Sequence, residues 1–164
     1  MTTTRNGLIL ALLLSAASLS GCGGLGTDAN SSVNANSQTA SNGNTAKTNV
    51  EELGMLVNVP YESEDVVWKD LPSQKKIVAV LKFPQGEANR LIADAEKVRP
   101  AQKASMNPES WFPPELVAQS DMTGDDMLSG QSYAANAFFQ DQYDDGRIVH
   151  IDGTDYFVLE LWAK

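Results

Sequence analysis

Side chains suited to chemistry are scarce in this chain. His150 is its only imidazole and Cys22 its only thiol. A general base needs a nucleophile or an acid placed beside it, and His150 lies in the β-rich run Arg147-Ile148-Val149-His150-Ile151, where no such partner is evident. The plainer reading is a core or edge histidine satisfied by one hydrogen bond. One histidine cannot furnish a histidine-rich zinc site. A serine nucleophile would be signalled by a Gly-x-Ser-x-Gly elbow. The nearest string, Leu128-Ser129-Gly130-Gln131-Ser132, lacks the first glycine. No phosphate loop and no dinucleotide fingerprint occurs, so no cofactor is implied.

Carboxylates are the plentiful group. They cluster at Asp121, Asp125 and Asp126 (DMTGDD) and again at Asp141, Asp144 and Asp145 (DQYDD). An EF-hand loop needs ligands at alternate positions, a central glycine and a distal Glu. Neither run fits, so these six aspartates are at most weak calcium candidates, and a solvated face is the simpler account. A glycosidase-like pair of carboxylates is available in any acidic protein, and nothing in the sequence selects two. The most distinctive candidate surface is Trp111-Phe112-Pro113-Pro114. Aromatics held by a stiff Pro-Pro unit suit a recognition loop, since hot spots favour large rigid side chains. Against that stands a structural role, with Trp111 and Phe112 plugging the open face of a sheet. Trp68, Tyr156 and Trp162 invite the same choice.

The thiol is explained by its position. Met1 to Gly21 carries Arg5 as its only charge, then the apolar run Leu8 to Leu14, then small residues to Ser20. A membrane-spanning helix needs about 20 apolar residues, and this run is shorter. A basic start, a short apolar centre and a small-residue end describe a secretory signal peptide. The segment closes on Leu19-Ser20-Gly21-Cys22, which resembles the lipobox of bacterial lipoproteins at all four positions. The resemblance implies a diacylglycerol on Cys22, cleavage before it, and often acylation of the new amino group, hence palmitate-type chains holding the protein to a membrane. It also removes Cys22 from nucleophilic or zinc chemistry. Gly23, where an Asp tends to retain lipoproteins at an inner membrane, implies an outer-membrane address if the cell has two. The resemblance covers only the first 22 residues.

Residues 23–50 are rich in Asn, Ser, Thr, Ala and Gly and contain no aromatic residue. Such a composition cannot bury enough apolar surface to offset backbone ordering. It reads as a disordered tether with a root-mean-square reach of about 30 Å. From Glu51 to Lys164 the composition is that of one globular domain.

The formal net charge is −9, with no Lys or Arg between Lys103 and Arg147. Phosphate backbones are bound by clustered cations, so nucleic acid is an unsuitable partner.

Several elements must position these groups. Lys75 to Phe83 is apolar in succession from Ile77 to Leu81, as a central strand requires. Over 87–99, Ala88, Leu91, Ile92, Ala95 and Val98 form one stripe of an amphipathic helix, with Glu87 near its start, Lys97 and Arg99 near its end, and Pro100 as its stop. Arg147 to Ile151 and Tyr156 to Trp162 flank an Asp152-Gly153 turn, a hairpin signal. Pairing His150 with Phe157 puts Ile148, His150, Phe157, Leu159 and Leu161 on one face. Val149, Ile151, Tyr156, Val158, Glu160 and Trp162 then share the other. Both faces are apolar enough for the interior of a sheet. Leu53 to Val59 and Val66 to Trp68 are expected as short strands. Tyr133 to Phe139 balances helix-favouring alanines against aromatics that favour a strand, with Asp144-Asp145-Gly146 as the turn after it; strand is preferred. Pro113 and Pro114 suit the first turn of a helix running to about Gln119. The sum is an α+β fold with an antiparallel-dominated sheet of four or five strands and one firm helix.

For function, the expectation is a lipid-anchored, exported envelope protein whose acidic domain is a non-enzymatic binding or accessory module, including an inhibitor, for a protein or envelope component. A carboxylate-using envelope hydrolase and a calcium-dependent surface module are the alternatives.

Overall fold

The computed structural model describes residues 45–124 and 126–164. The expected leader, the expected lipidation site Cys22, the expected tether up to residue 44, and Asp125 lie outside the described residues. None of the described helices is long and apolar enough to cross a membrane.

The fold is α+β, built on one antiparallel sheet. Its strands are β1 (Asp65–Leu71), β2 (Lys76–Lys82), β3 (Gln102–Met106), β4 (Leu128–Ala134), β5 (Tyr143–Ile151) and β6 (Tyr156–Ala163), in the spatial order β1-β2-β6-β5-β4-β3. The expectation of four or five strands falls short of these six. The one unforeseen throughout is β3, reading QKASM: as an edge strand exposed along most of its length, it needs no apolar alternation and gives no periodic signal.

Among the described residues, three α-helices flank the sheet: α1 (Val50–Gly54), α2 (Gln85–Glu96) and α3 (Pro114–Thr123). The chain passes from β2 through α2 to β3 at the far edge, so α2 lies over one face. There Leu53, Ala88, Leu91, Trp68, Leu81, Phe83, Phe138, Phe157 and Leu159 form the larger core cluster. On the other face Phe112 and Leu116 pack against Val78, Val80, Leu128, Val149, Ile151 and Val158. The strands β2 and β6 are buried on both faces because both clusters need them, which is why their sequences are near-continuously apolar. The hairpin register is the expected one, with His150 opposite Phe157 and Val149 opposite Val158.

Other expectations are corrected. Leu53 to Val59 is no strand: Asn49 caps α1, its Oδ1 accepting from the backbone N–H of Glu51 (2.9 Å) and Glu52 (3.0 Å). Capping satisfies donors that a helix start leaves orphaned. Upstream, Lys47 exchanges backbone hydrogen bonds with Trp68, both 2.8 Å, closing the outer edge of β1. The main helix starts and ends earlier than 87–99, and its last turn holds no basic residue. Val98 is 57% exposed; it lies beyond the end of α2, in the turn where its N–H and that of Arg99 both donate to the Ala95 carbonyl oxygen. Only Tyr133 and Ala134 of the segment 133–139 are strand; Asn136–Phe138 is a 3-10 turn that drops Phe138 into the core beside Tyr61. Finally, Asp144-Asp145-Gly146 is not a turn but part of β5, where the register skips a residue. Gly146 has φ 156°, and a Cβ there would lie 2.3 Å from the Glu160 carbonyl oxygen. Glycine serves here for close strand approach, not for reversal.

Candidate functional site

On the α3 face, the strand registers place side chains in rows across the sheet. One row runs Val67, Val80, Val158, Val149, Ser132 and is covered by the α3 cluster. The next runs Lys69, Val78, Glu160, Arg147, Ala134, and the one beyond it Leu71, Lys76, Trp162, Asp145. The face therefore passes from apolar to charged in two steps along the strands. Glu160, Arg147, Lys76 and Trp162 lie outside the α3 cluster, although Val78 of the same rows belongs to it and Leu71 packs against it.

Glu160 is the centre of this patch. It is 6% exposed, and each carboxylate oxygen has its own cation. Lys76 Nζ donates to Oε1 at 2.6 Å, and Arg147 donates from Nε and Nη2 to Oε2, both 2.6 Å. Burial disfavours the charge on Glu160. The hydrogen bonds and charges of Lys76 and Arg147 outweigh that and hold its carboxyl below the usual range. The two cations are in turn oriented by the carboxylate. Lys76 Nζ also sits 5.4 Å from the centre of the Trp162 ring, and Lys69 Nζ 5.5 Å from that of Trp111, within range of a cation–π attraction. Among the described residues, Lys69 is in no ion pair.

The Trp111-Phe112-Pro113-Pro114 segment divides between the two roles weighed for it. Phe112 is buried in the α3 cluster, stacked edge-on against Trp111 at 4.8 Å. Pro113 caps α3 and Pro114 is its first residue. Trp111 is half-buried where the apolar rows give way to the charged ones, its Nε1 donating to Glu109 Oε2 at 2.6 Å. Thus one residue of four reaches the patch. Lys69, Lys76, Arg147 and Glu160 were not foreseen as a site. The signal was partly present, since the hairpin pattern already sets Glu160 and Trp162 beside Val149, and two residues further back lies Arg147.

His150 is on the opposite face. Its ring is stacked on Phe157, centroids 4.4 Å apart, and Nε2 is 2.8 Å from the Thr154 carbonyl oxygen. Both features are those of a structural histidine. The two acidic runs are not brought together. Asp121 and Asp126 precede β4, while Asp141, Asp144 and Asp145 follow it, so the seven-residue strand separates them by roughly 20 Å. Asp144 pairs with Lys164 at 3.0 Å, and Asp145 accepts from its neighbour's N–H at 2.8 Å. Among the described residues, no three His, Cys, Asp or Glu side chains are grouped to hold a metal.

On the α2 face a small cleft is lined by Tyr61, Leu91, Asp94, Asn136 and Phe138. Burial and the nearby Asp94 charge push the Tyr61 hydroxyl up, while the hydrogen bond from Lys97 holds the exposed Asp94 carboxyl down. The cleft has a neutral phenol and an already paired carboxylate, with no free base.

No protein-family model, curated protein or solved structure matches this chain.

Proposed function

We propose that this protein is an exported lipoprotein, held in the cell envelope by lipid on Cys22, whose folded part is a non-enzymatic binding module. Gly23 favours the outer membrane in a cell that has two. The ligand face is the charged end of the sheet, with Lys69, Lys76, Arg147 and Trp162 as its floor and Trp111 as its wall. One observation carries this reading: beside the apolar residues of the α3 cluster, Lys76 and Arg147 are held in place by a deeply buried carboxylate, Glu160. A row of preset side chains on central strands is rigid, and binding to it costs little ordering. His150, the residue most suited to catalysis, is committed to a ring stack and a hydrogen bond, which also favours binding over chemistry.

The test is photo-cross-linking of the full-length protein in its native envelope. A benzophenone side chain at position 162 is expected to give a discrete adduct, and one at the exposed Glu96 on α2 none. Equal labelling at both positions, or none at 162, overturns the reading. Mass spectrometry of the same protein is expected to find a lipid-modified Cys22 at the mature amino terminus; an unmodified thiol behind an intact leader overturns the address.

A further inference from the structure

We infer that β3 is a docking edge for a second copy of this chain, the two β3 strands pairing antiparallel about Ala104 so that their sheets join. Among the described residues the opposite edge is partly closed, since Lys47 exchanges two backbone hydrogen bonds with Trp68 of β1. No described strand or bridge lies beyond β3. The chain also leaves that edge over the faces. It arrives from α2, and after Met106 it crosses to Trp111, whose ring lies 5.5 Å from Lys69 Nζ of β1.

The phase of the hydrogen bonds tells which groups are open. Asp152 N–H donates to the Ser129 carbonyl oxygen at 3.0 Å, so Ser129 turns its backbone groups toward β5. Alternation along an antiparallel strand then turns Leu128, Gly130 and Ser132 toward β3, opposite Met106, Ala104 and Gln102. Lys103 and Ser105 therefore point their N–H and C=O groups outward, as the template for another extended backbone. Proline or a bulge commonly blunts such an edge. Here neither falls within β3, and its register with β4 is unbroken.

The sequence of β3 selects its own copy as the occupant. With Ala104 on the two-fold axis, Lys103 faces Ser105 of the second copy and Gln102 faces Met106. The axis pair is then a non-hydrogen-bonded one, where opposite Cα atoms come within about 4.5 Å, and a residue as small as Ala104 suits it. Pro100 and Pro108 stand four residues to either side, so they meet each other beyond the ends of the ladder. Shifting the pairing one way sets Lys103 against Lys103; shifting it the other way brings Pro108 opposite Gln102. Although the chain carries −9, residues 97–108 contain no Asp or Glu, so two acidic bodies meet where neither is acidic. Two five-residue strands bury far less than the roughly 1,600 Å² of a standard interface, and the pairing is accordingly weak and concentration-dependent.

The experiment is oxidative cross-linking of purified, concentrated full-length protein, with the joined peptides identified by mass spectrometry so that Cys22 is not confused with an introduced thiol. Ala104→Cys is expected to form a 104–104 disulfide at least tenfold faster than Lys103→Cys forms a 103–103 one, whose Cα atoms lie two residues out of register and beyond the roughly 7 Å limit for a disulfide. Adding Ser105→Pro is expected to slow the Ala104→Cys reaction at least tenfold. Its lost N–H points outward, a position where an edge strand tolerates proline, and unchanged amide protection at Ala104 and Met106 verifies that β3 persists. In the wild-type protein, the Lys103 and Ser105 amides are expected to gain hydrogen-exchange protection as concentration rises. Equal rates at 103 and 104, a rate unaffected by Ser105→Pro, or concentration-independent exchange at Lys103 and Ser105 overturns the inference.

Discussion

Glu160 offers the sharpest test of how the charged rows are held. Glu160→Gln keeps the size of the side chain but removes the charge. The amide oxygen can still accept from one cation, while the amide nitrogen then points a donor at the other. Breaking a fully buried ion pair by deleting one partner costs about 3–5 kcal/mol. Here the side chain of Glu160 is 8% exposed, but those of Lys76 and Arg147 are 19% and 35% exposed, so water can partly solvate the abandoned cations. The expected loss is therefore lower, about 2–3 kcal/mol at pH 7. With a urea slope of roughly 1.5 kcal/mol per molar for a domain of this size, the midpoint should fall by about 1–2 M.

The pH dependence supplies an independent arm. The Glu160 carboxyl is held below its ordinary value of 4.5 in the folded state, so over that window the unfolded chain binds more protons and stability rises with pH. Its contribution is present above about 4.5 and is lost as pH falls through the lowered folded value. Wild type and Glu160→Gln should thus differ most at neutral pH and converge in acid. Urea titrations of both proteins from pH 7 to pH 2.5 measure this directly. A difference under about 0.5 kcal/mol at pH 7, or one that stays constant down to pH 2.5, would refute the assignment of Glu160 as the clamp. Replacing the trio together (Lys76→Met, Arg147→Met, Glu160→Met) should restore stability to near wild type, since well-packed apolar substitutes commonly match or exceed a buried ion pair.

Two further outcomes separate the roles of neighbouring residues. Phe112→Ala opens a cavity under α3 and should cost about 3–5 kcal/mol in urea titrations, whereas Trp111→Ala, at the border of the cluster, should cost less than about 2 kcal/mol; equal losses would place both rings in the core. Calcium at millimolar concentration should move the thermal midpoint by less than about 1 °C, because a ligand of the native state must stabilise it, and a rise of several degrees would revive the aspartate runs as a site.

What the sequence disclosed follows from where each element sits. The strand β2 and the β5–β6 hairpin are central, so every position faces a core and apolar content alone marks them. The Asp152-Gly153 turn set the register and, through it, the division of faces. The stripe of α2 was visible for the same reason, with only its ends displaced. The fold was least legible where burial is slight. Edge strand β3 carries Gln102, Lys103 and Ser105 with almost nothing packed on them. The capping of α1 by Asn49 was readable in principle, as Asn followed three residues later by Glu52, but it sits inside a polar stretch whose composition says tether. The patch itself joins Lys69, Lys76, Arg147 and Glu160 from four strands. No local window contains them, and only the paired registers β1–β2, β2–β6 and β5–β6 bring them together.

The same registers bear on why a carboxylate should sit in mid-sheet at all. An ion-pair network at this depth contributes little net stability compared with an apolar trio of similar size, and the row beside it shows that valines fit the same strands. Stability therefore does not require Glu160. What valine or methionine could not do is fix Lys76 and Arg147 in one place on a face where long cationic side chains otherwise extend freely to solvent. With the carboxylate in place, both cations lose freedom during folding rather than during binding, and the ordering cost of recognition is met in advance. The bulge between Tyr143 and Asp145 and the glycine at 146 belong to this arrangement. They let β5 lie close against the Glu160 carbonyl, which puts Arg147 directly opposite Glu160 in the β5–β6 pair. A side chain at position 146 would force those strands apart at the row where the charges meet. The features that look least economical for a stable sheet, a buried acid and a strand glycine, thus converge on the position of two cations.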